Sequence, residues 1–127
     1  MGSTSAMWLE GLRKNPENVI VAVKGKSKIA GFIGFGPSRH KESEGEIYAM
    51  YNSPQYIRSG VGSLLWKAAK EQLVTRGYSA VQALVITENM PARKFYESMG
   101  FTLVRDSEST FTWEGEILNE VRYEYIA

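Results

Sequence analysis

The 127-residue chain predicts an α/β (α+β) domain built on a mixed sheet, and three observations carry that expectation. Runs of β-branched and aromatic residues form two groups, one toward each end of the chain. Between them lie two helical segments that end at glycine. A helix-long connection separates residues 46–51 from the apolar run 80–86, which favours a right-handed crossover and parallel pairing of the two.

Trp8, Leu9 and Leu12 share one side of a short helix that Asn15-Pro16-Glu17-Asn18 would stop. Val19 to Val23 and Ile29 to Phe35 read as strands of a hairpin turning at Lys24-Gly25-Lys26-Ser27. Pro37 to Gly45 is a polar loop, and Glu46 to Tyr51 a central strand ending before Pro54. From Gly60 to Arg76 the residues Val61, Leu64, Leu65, Ala68 and Leu73 keep helical spacing, and Gly77 supplies the stop. Ala80 to Ile86 suits a buried strand. Asn89 then begins a second helix with Pro91 in its first turn and Gly100 after its last. Phe101 to Val104 and Ile117 to Ile126 complete the sheet as strands joined through Trp113-Glu114-Gly115.

Composition narrows the function. With 43% apolar residues the chain can bury a core, and 15 basic against 14 acidic residues give no global reason for a nucleic-acid or anionic-membrane partner. The absence of cysteine removes disulfides, thiolate metal sites and a cysteine nucleophile. No apolar run approaches the roughly 20 residues of a membrane span, and no signal-peptide pattern opens the chain. The expected protein is therefore soluble and cytoplasmic, one domain over residues 7–127 behind a Gly-Ser-Thr-Ser lead at residues 1–6 that reads as a tag or disordered. No residue set suggests a metal.

Tyr56-Ile57-Arg58-Ser59-Gly60-Val61-Gly62-Ser63 places two glycines at the threshold of the first helix. Unpaired amides and the positive end of the helix dipole meet there, which suits a phosphate. A dinucleotide fingerprint would need a third glycine where Leu65 stands, and a Walker A loop a lysine before Ser63. An ordinary tight turn is the alternative.

That loop, close to Gln/Arg-x-x-Gly-x-Gly/Ala, is followed by Asn89-Met90-Pro91-Ala92-Arg93-Lys94-Phe95-Tyr96-Glu97-Ser98-Met99-Gly100-Phe101. Together the two segments resemble the GNAT superfamily of acyl-CoA-dependent N-acyltransferases over residues 19–126. The resemblance implies a mixed, mostly antiparallel sheet with a central parallel strand pair flanked by helices. It implies acetyl-CoA as cosubstrate, its pyrophosphate on the amides of Arg58, Ser59, Gly60, Val61, Gly62 and Ser63. Its pantetheine arm would lie between splayed strands Glu46 to Asn52 and Ala80 to Ile86, served by amides near Met50, Tyr51 and Asn52 and by Asn89. Ile57 departs from the Gln or Arg of the pattern, so one side-chain contact to the loop is missing.

Acetyl transfer to an amine needs a neutral amine, a stabilised oxyanion and a proton for the leaving thiolate. By the resemblance Tyr96 is the general acid near the sulfur, the other reading being a core tyrosine whose hydroxyl finds a backbone partner. Glu46 matches the family's base, the other reading being a solvated carboxylate at a strand end. An amide near Met50 or Tyr51 would hold the oxyanion. His40, Arg93, Lys94, Ser63, Trp8 and Trp113 are weaker candidates, Arg93 and Lys94 as contacts to the adenosine phosphates.

The acceptor implied is a primary amine, with a small molecule preferred to a protein N-terminus or lysine. A non-catalytic CoA-binding or regulatory module is the alternative, because the chain is short at its front relative to the family pattern. Exposed sheet edges favour association, here a homodimer.

Overall fold

The computed structural model describes residues 7–10, 18–24, 28–54 and 60–127. Their order is β1 (Met7–Glu10), β2 (Val19–Lys24), β3 (Lys28–Pro37), β4 (Gly45–Asn52), α1 (Val61–Thr75), β5 (Ala80–Ile86), α2 (Met90–Ser98), β6 (Thr102–Leu103), β7 (Ser109–Trp113) and β8 (Glu116–Ile126). The strands make one eight-stranded sheet ordered β1-β2-β3-β4-β5-β8-β6, with β7 also paired to β8. All pairings are antiparallel except β4 with β5. The expected mixed sheet with a central parallel pair is therefore present.

Two expectations are corrected. The segment read as a helix from Trp8 and Leu9 is strand β1, with Trp8 opposite Val23 and Leu9 opposite Ala22; Leu12 lies outside the described residues. Four residues carry too little periodicity to separate the two states, and pairing with β2 satisfies a backbone edge that would otherwise stay open. The carboxy-terminal hairpin also differs. Phe101 to Val104 contributes only the two-residue β6, against Glu124 and Tyr123, while the unanticipated β7 forms the hairpin with β8. Its two-residue turn has positive φ at both Glu114 and Gly115, the twist-matched form of a tight hairpin. The alternation in Thr110-Phe111-Thr112-Trp113 was the available signal.

The core lies on one face of the sheet. From α1, Val61, Leu65, Trp66, Ala69 and Leu73 are buried, and with Ile20, Ala22, Ile33, Phe35, Ile47, Val81, Ala83 and Val85 of the strands they form one cluster. Each Val, Leu, Ile or Phe among them removed from water contributes roughly 1.5–3 kcal/mol. Trp66 packs on Phe101 and Tyr125, and Tyr96 on Phe101 and Tyr123. Tyr123 and Tyr125 share a face by strand alternation, so both helices lie on the same side. On the other side Phe32 stacks on Tyr51, both exposed.

The β4–β5 pairing is short. Gly45, Glu46 and Ile47 oppose Val81, Gln82 and Ala83, and the parallel ladder stops there although β4 runs on to Asn52 and β5 to Ile86. At the same level the β3–β4 register slips: Gly34 faces Ala49 but Phe35 faces Ile47. Tyr48 is thus the extra residue of a bulge, and a bulge bends its strand. β4 leaves β5 where the bulge falls, and the two central strands splay.

Candidate active site

The splay opens onto a cavity of about 620 Å³ lined by Met50 and Asn52 from β4 and by Met90, Pro91, Ala92, Lys94, Phe95 and Tyr96 from α2. Its lining is mainly apolar side chains, with backbone edges beyond Ile47 that β5 does not pair. An extended arm of amide and methylene groups fits such a channel, since backbone edges recognise amides and the walls cover the methylenes.

Beside this cavity stands the first turn of α1, where Gly62 lies against the lining residues Asn52 and Phe95. Gly60 has φ 93° and ends the approach to the helix, a conformation that a side chain would strain. Among the described residues no side chain caps this terminus, and no acidic residue lies in its first turn. Leu64 N–H already bonds the Gly60 carbonyl, so the amides before it have no partner within the helix. Val61, Gly62 and Ser63 supply them, and a pyrophosphate fits this donor set. Ile57, Arg58 and Ser59 lie outside the described residues.

Gly62 sits in a tight place. A Cβ there would stand 3.0 Å from the Phe95 ring and 3.3 Å from Asn52 Nδ2. This contact brings the opening of α1 against α2. Asn52 Oδ1 is buried without a hydrogen-bond partner among the described residues. Tyr51 turns its side chain to the opposite face onto Phe32, leaving its backbone as what it can offer.

Asn89 caps α2, its Oδ1 accepting from Ala92 N–H at 3.2 Å. Its Nδ2 has no hydrogen-bond partner among the described residues. Tyr96 is 8% exposed, its ring meeting Phe95 and Phe101 edge-on. The backbone partner expected for a core tyrosine is absent among the described residues. Burial without a partner for the phenolate pushes its pKa up to about 12, so the hydroxyl keeps its proton through the neutral range.

Glu46 departs from the solvated-carboxylate reading. It is 1% exposed, and one residue holds both oxygens: Arg39 N–H donates to Oε1 at 2.8 Å and Arg39 Nη2 to Oε2 at 2.7 Å. The guanidinium lies over the Tyr48 ring with its side chain 63% exposed, and the Glu46 contact raises the arginine's pKa. Arg39 was not among the sequence candidates, because the seven-residue separation is bridged by a loop.

Arg93 is not free to reach a phosphate. Its Nε donates to Tyr123 Oη at 2.9 Å and its Nη1 to the Thr87 carbonyl at 2.9 Å. Lys94 remains at the cavity wall. His40 is exposed, its N–H donating to Ser38 Oγ, and Trp113 is exposed on β7. Among the described residues no group of acidic or histidine side chains could hold a metal ion, and no helix is long and apolar enough to cross a membrane.

A splayed parallel pair, a glycine-opened helix and a tyrosine-bearing second helix define the fold of acyl-CoA-dependent transferases. The Acetyltransferase (GNAT) family model matches residues 2–101, and the chain belongs to that family. It is 34% identical over 107 residues to the uncharacterized N-acetyltransferase YuaI of Bacillus subtilis (strain 168), covering 83% of this chain and 60% of that protein. It is 33% identical over 112 residues to the mycothiol acetyltransferase of Thermobifida fusca, covering 82% of this chain and 32% of that protein. The chain thus spans 60% or less of the length of these relatives. Among solved structures, nourseothricin acetyltransferase superposes with a TM-score of 0.76 at 23% identity, over 92% of this chain and 69% of that one. The yncA protein of Salmonella typhimurium, solved with its cofactor acetyl-CoA, gives 0.70 at 18% identity, over 85% and 63%. These two likenesses speak to the fold.

Proposed function

We propose that the protein moves the acetyl group of acetyl-CoA to the primary amine of a small molecule by direct attack. The observation that carries this reading is the splay of β4 from β5 after Ile47 and Ala83, with a cavity between β4 and α2 whose lining residues Asn52 and Phe95 lie against Gly62 at the opening of α1. Acetyl-CoA supplies the activated acyl group. Val61, Gly62 and Ser63 offer amides to its pyrophosphate, with Gly60 shaping the turn and Arg58 and Ser59 proposed beside them. Met50, Tyr51, Asn52 and Asn89 serve the pantetheine arm.

In the transfer a nitrogen–carbon bond forms, the carbon–sulfur bond breaks, and the thiolate takes the proton of Tyr96. Against an ordinary thiol near 8.5, a phenol at about 12 makes complete proton transfer uphill by roughly 5 kcal/mol. Tyr96 therefore acts best as a hydrogen-bond donor that yields its proton as the bond breaks, when charge on sulfur is greatest. Glu46 is the proposed base. Arg39 occupies two of its roughly four lone-pair sites, and the amine's proton reaches the others through a water and passes to solvent, which returns a proton to the Tyr96 phenolate. A backbone amide near Met50 or Tyr51 holds the oxyanion.

A small-molecule acceptor is supported by the mycothiol acetyltransferases among the sequence relatives. We further propose a cytoplasmic homodimer, supported by the exposed Phe32, Tyr51 and Tyr48 on a sheet face bare of helices among the described residues, and one acyltransferase domain over residues 7–127. The test is thiol release from acetyl-CoA with a panel of small amines beside peptides, paired with calorimetry of CoA binding. Release with a small amine and binding tighter than millimolar are expected. Binding with no release by any acceptor leaves a CoA-binding module, and no binding removes the reading.

A further inference from the structure

Helix α2 carries Tyr96 yet is only nine residues long, and Tyr96 is its one buried side chain. A helix of that length is not stable by itself, so a few tertiary contacts must set its height above the sheet. Two hydrogen bonds meet at the Tyr123 hydroxyl, and a third holds the Arg93 guanidinium. Arg93 Nε donates to Tyr123 Oη at 2.9 Å, Tyr123 Oη donates to Glu97 Oε2 at 2.7 Å, and Arg93 Nη1 reaches the Thr87 carbonyl at 2.9 Å. Arg93 and Glu97 are one turn apart and flank Tyr96 along the helix. Tyr123 is fully buried and belongs to β8, which is paired along β5 with Ala83 opposite Tyr123. The Tyr96 ring lies over the Tyr123 ring, 6.4 Å between centroids at 28°.

We infer that Tyr123, through Arg93 and Glu97, is a positioning residue that pins α2 to the sheet and so fixes where the Tyr96 hydroxyl meets the cavity. The inference rests on the proposed role of Tyr96 as proton donor. The hydroxyl of Tyr96 has no hydrogen bond of its own among the described residues, so its place is set by where the helix sits. Reacting groups displaced by about 1 Å can lose roughly a hundredfold in rate. The buried Tyr123 hydroxyl uses its donor and acceptor capacity on α2 and acts as a polar grip of β8 on that helix. Arg93 Nε and Glu97 occupy it together.

The test is a cycle of Tyr123→Phe, Tyr96→Phe and the double variant, with Arg93→Lys as the conservative partner change. Each is read by kcat, by KM for acetyl-CoA, and by NMR titration of ring-labelled tyrosine in which the Tyr96 signal is identified by its loss in Tyr96→Phe. In Tyr123→Phe, Glu97 and Arg93 can still pair with each other at one helical turn, so folding is retained. We expect kcat to fall about tenfold or more with KM within about twofold. We also expect the Tyr96 titration to move down from about 12 as water reaches the loosened helix, and no further kcat loss when Tyr123→Phe is added to Tyr96→Phe. Arg93→Lys, which keeps one donor, should fall between. An unmoved Tyr96 titration, or equal kcat losses in both backgrounds, overturns the positioning role. A moved titration with full turnover in Tyr96→Phe retains the grip on α2 and removes the proton-donor reading instead.

Discussion

Replacing Tyr96 with Phe separates packing from chemistry because the structure assigns different consequences to each. The ring contacts with Phe95, Phe101 and Tyr123 survive the change. The lost hydroxyl has no partner among the described residues, so stability near neutral pH should hold within about 0.5 kcal/mol. The alkaline limb differs. Tyr96 ionises near 10 in the unfolded chain and at about 12 in the fold. The raised folded value means the fold holds the proton more tightly. Its contribution is complete below the unfolded pKa and is lost as pH climbs through the folded one. About 1.4 kcal/mol of this loss should be reached by about pH 11, and about 2.7 kcal/mol in full. Urea titrations of both proteins at about pH 8 and about pH 11 read the difference directly, since Tyr48 and Tyr123, also raised by burial, are common to both. The variant should lose that much less stability on alkalinisation, and its turnover should fall by about a hundredfold or more. Equal alkaline losses would refute the buried, unpartnered placement of the hydroxyl, and undiminished turnover would refute its part in the transfer.

Three other substitutions probe the same site. Arg39→Gln should destabilise more than Glu46→Gln in thermal melts: Arg39 can return its exposed guanidinium to water, whereas the buried Glu46 carboxylate cannot be rehydrated without opening the loop, a cost of about 1.5–3 kcal/mol. Asn89→Ser keeps a side-chain oxygen to cap Ala92 N–H but removes the amide donor, so melting should be unchanged within about 0.5 kcal/mol while CoA binding by calorimetry weakens.

Both site helices could be read from the chain because their ends are marked locally. Gly60 and Gly77 bracket α1 and Asn89 and Gly100 bracket α2; the apolar spacing marks α1 as a helix but not its exact buried face, since Leu64 and Ala68 are only partly covered while Trp66 and Ala69 are in the core. The crossover from β4 through α1 to β5 followed from connection length. The amino-terminal Trp8-Leu9 segment did not, because a four-residue strand has no period of its own and exists by pairing with β2. β7 was overlooked because its five residues (Ser109–Trp113) lie in a stretch read as a connection, although their alternation was visible.

By itself, the sequence determined the elements that carry the site and the places of its glycines, Asn89 and Tyr96, since helix signals act within a few residues of one another. Tertiary structure alone decided that β4 parts from β5 at the Tyr48 bulge, that Arg39 encloses Glu46, and that Arg93 and Glu97 grip Tyr123. Each of these depends on strand register or on groups brought together across a loop or between a helix and a distant strand. Contacts of that kind are made by the fold and leave no local pattern in the chain.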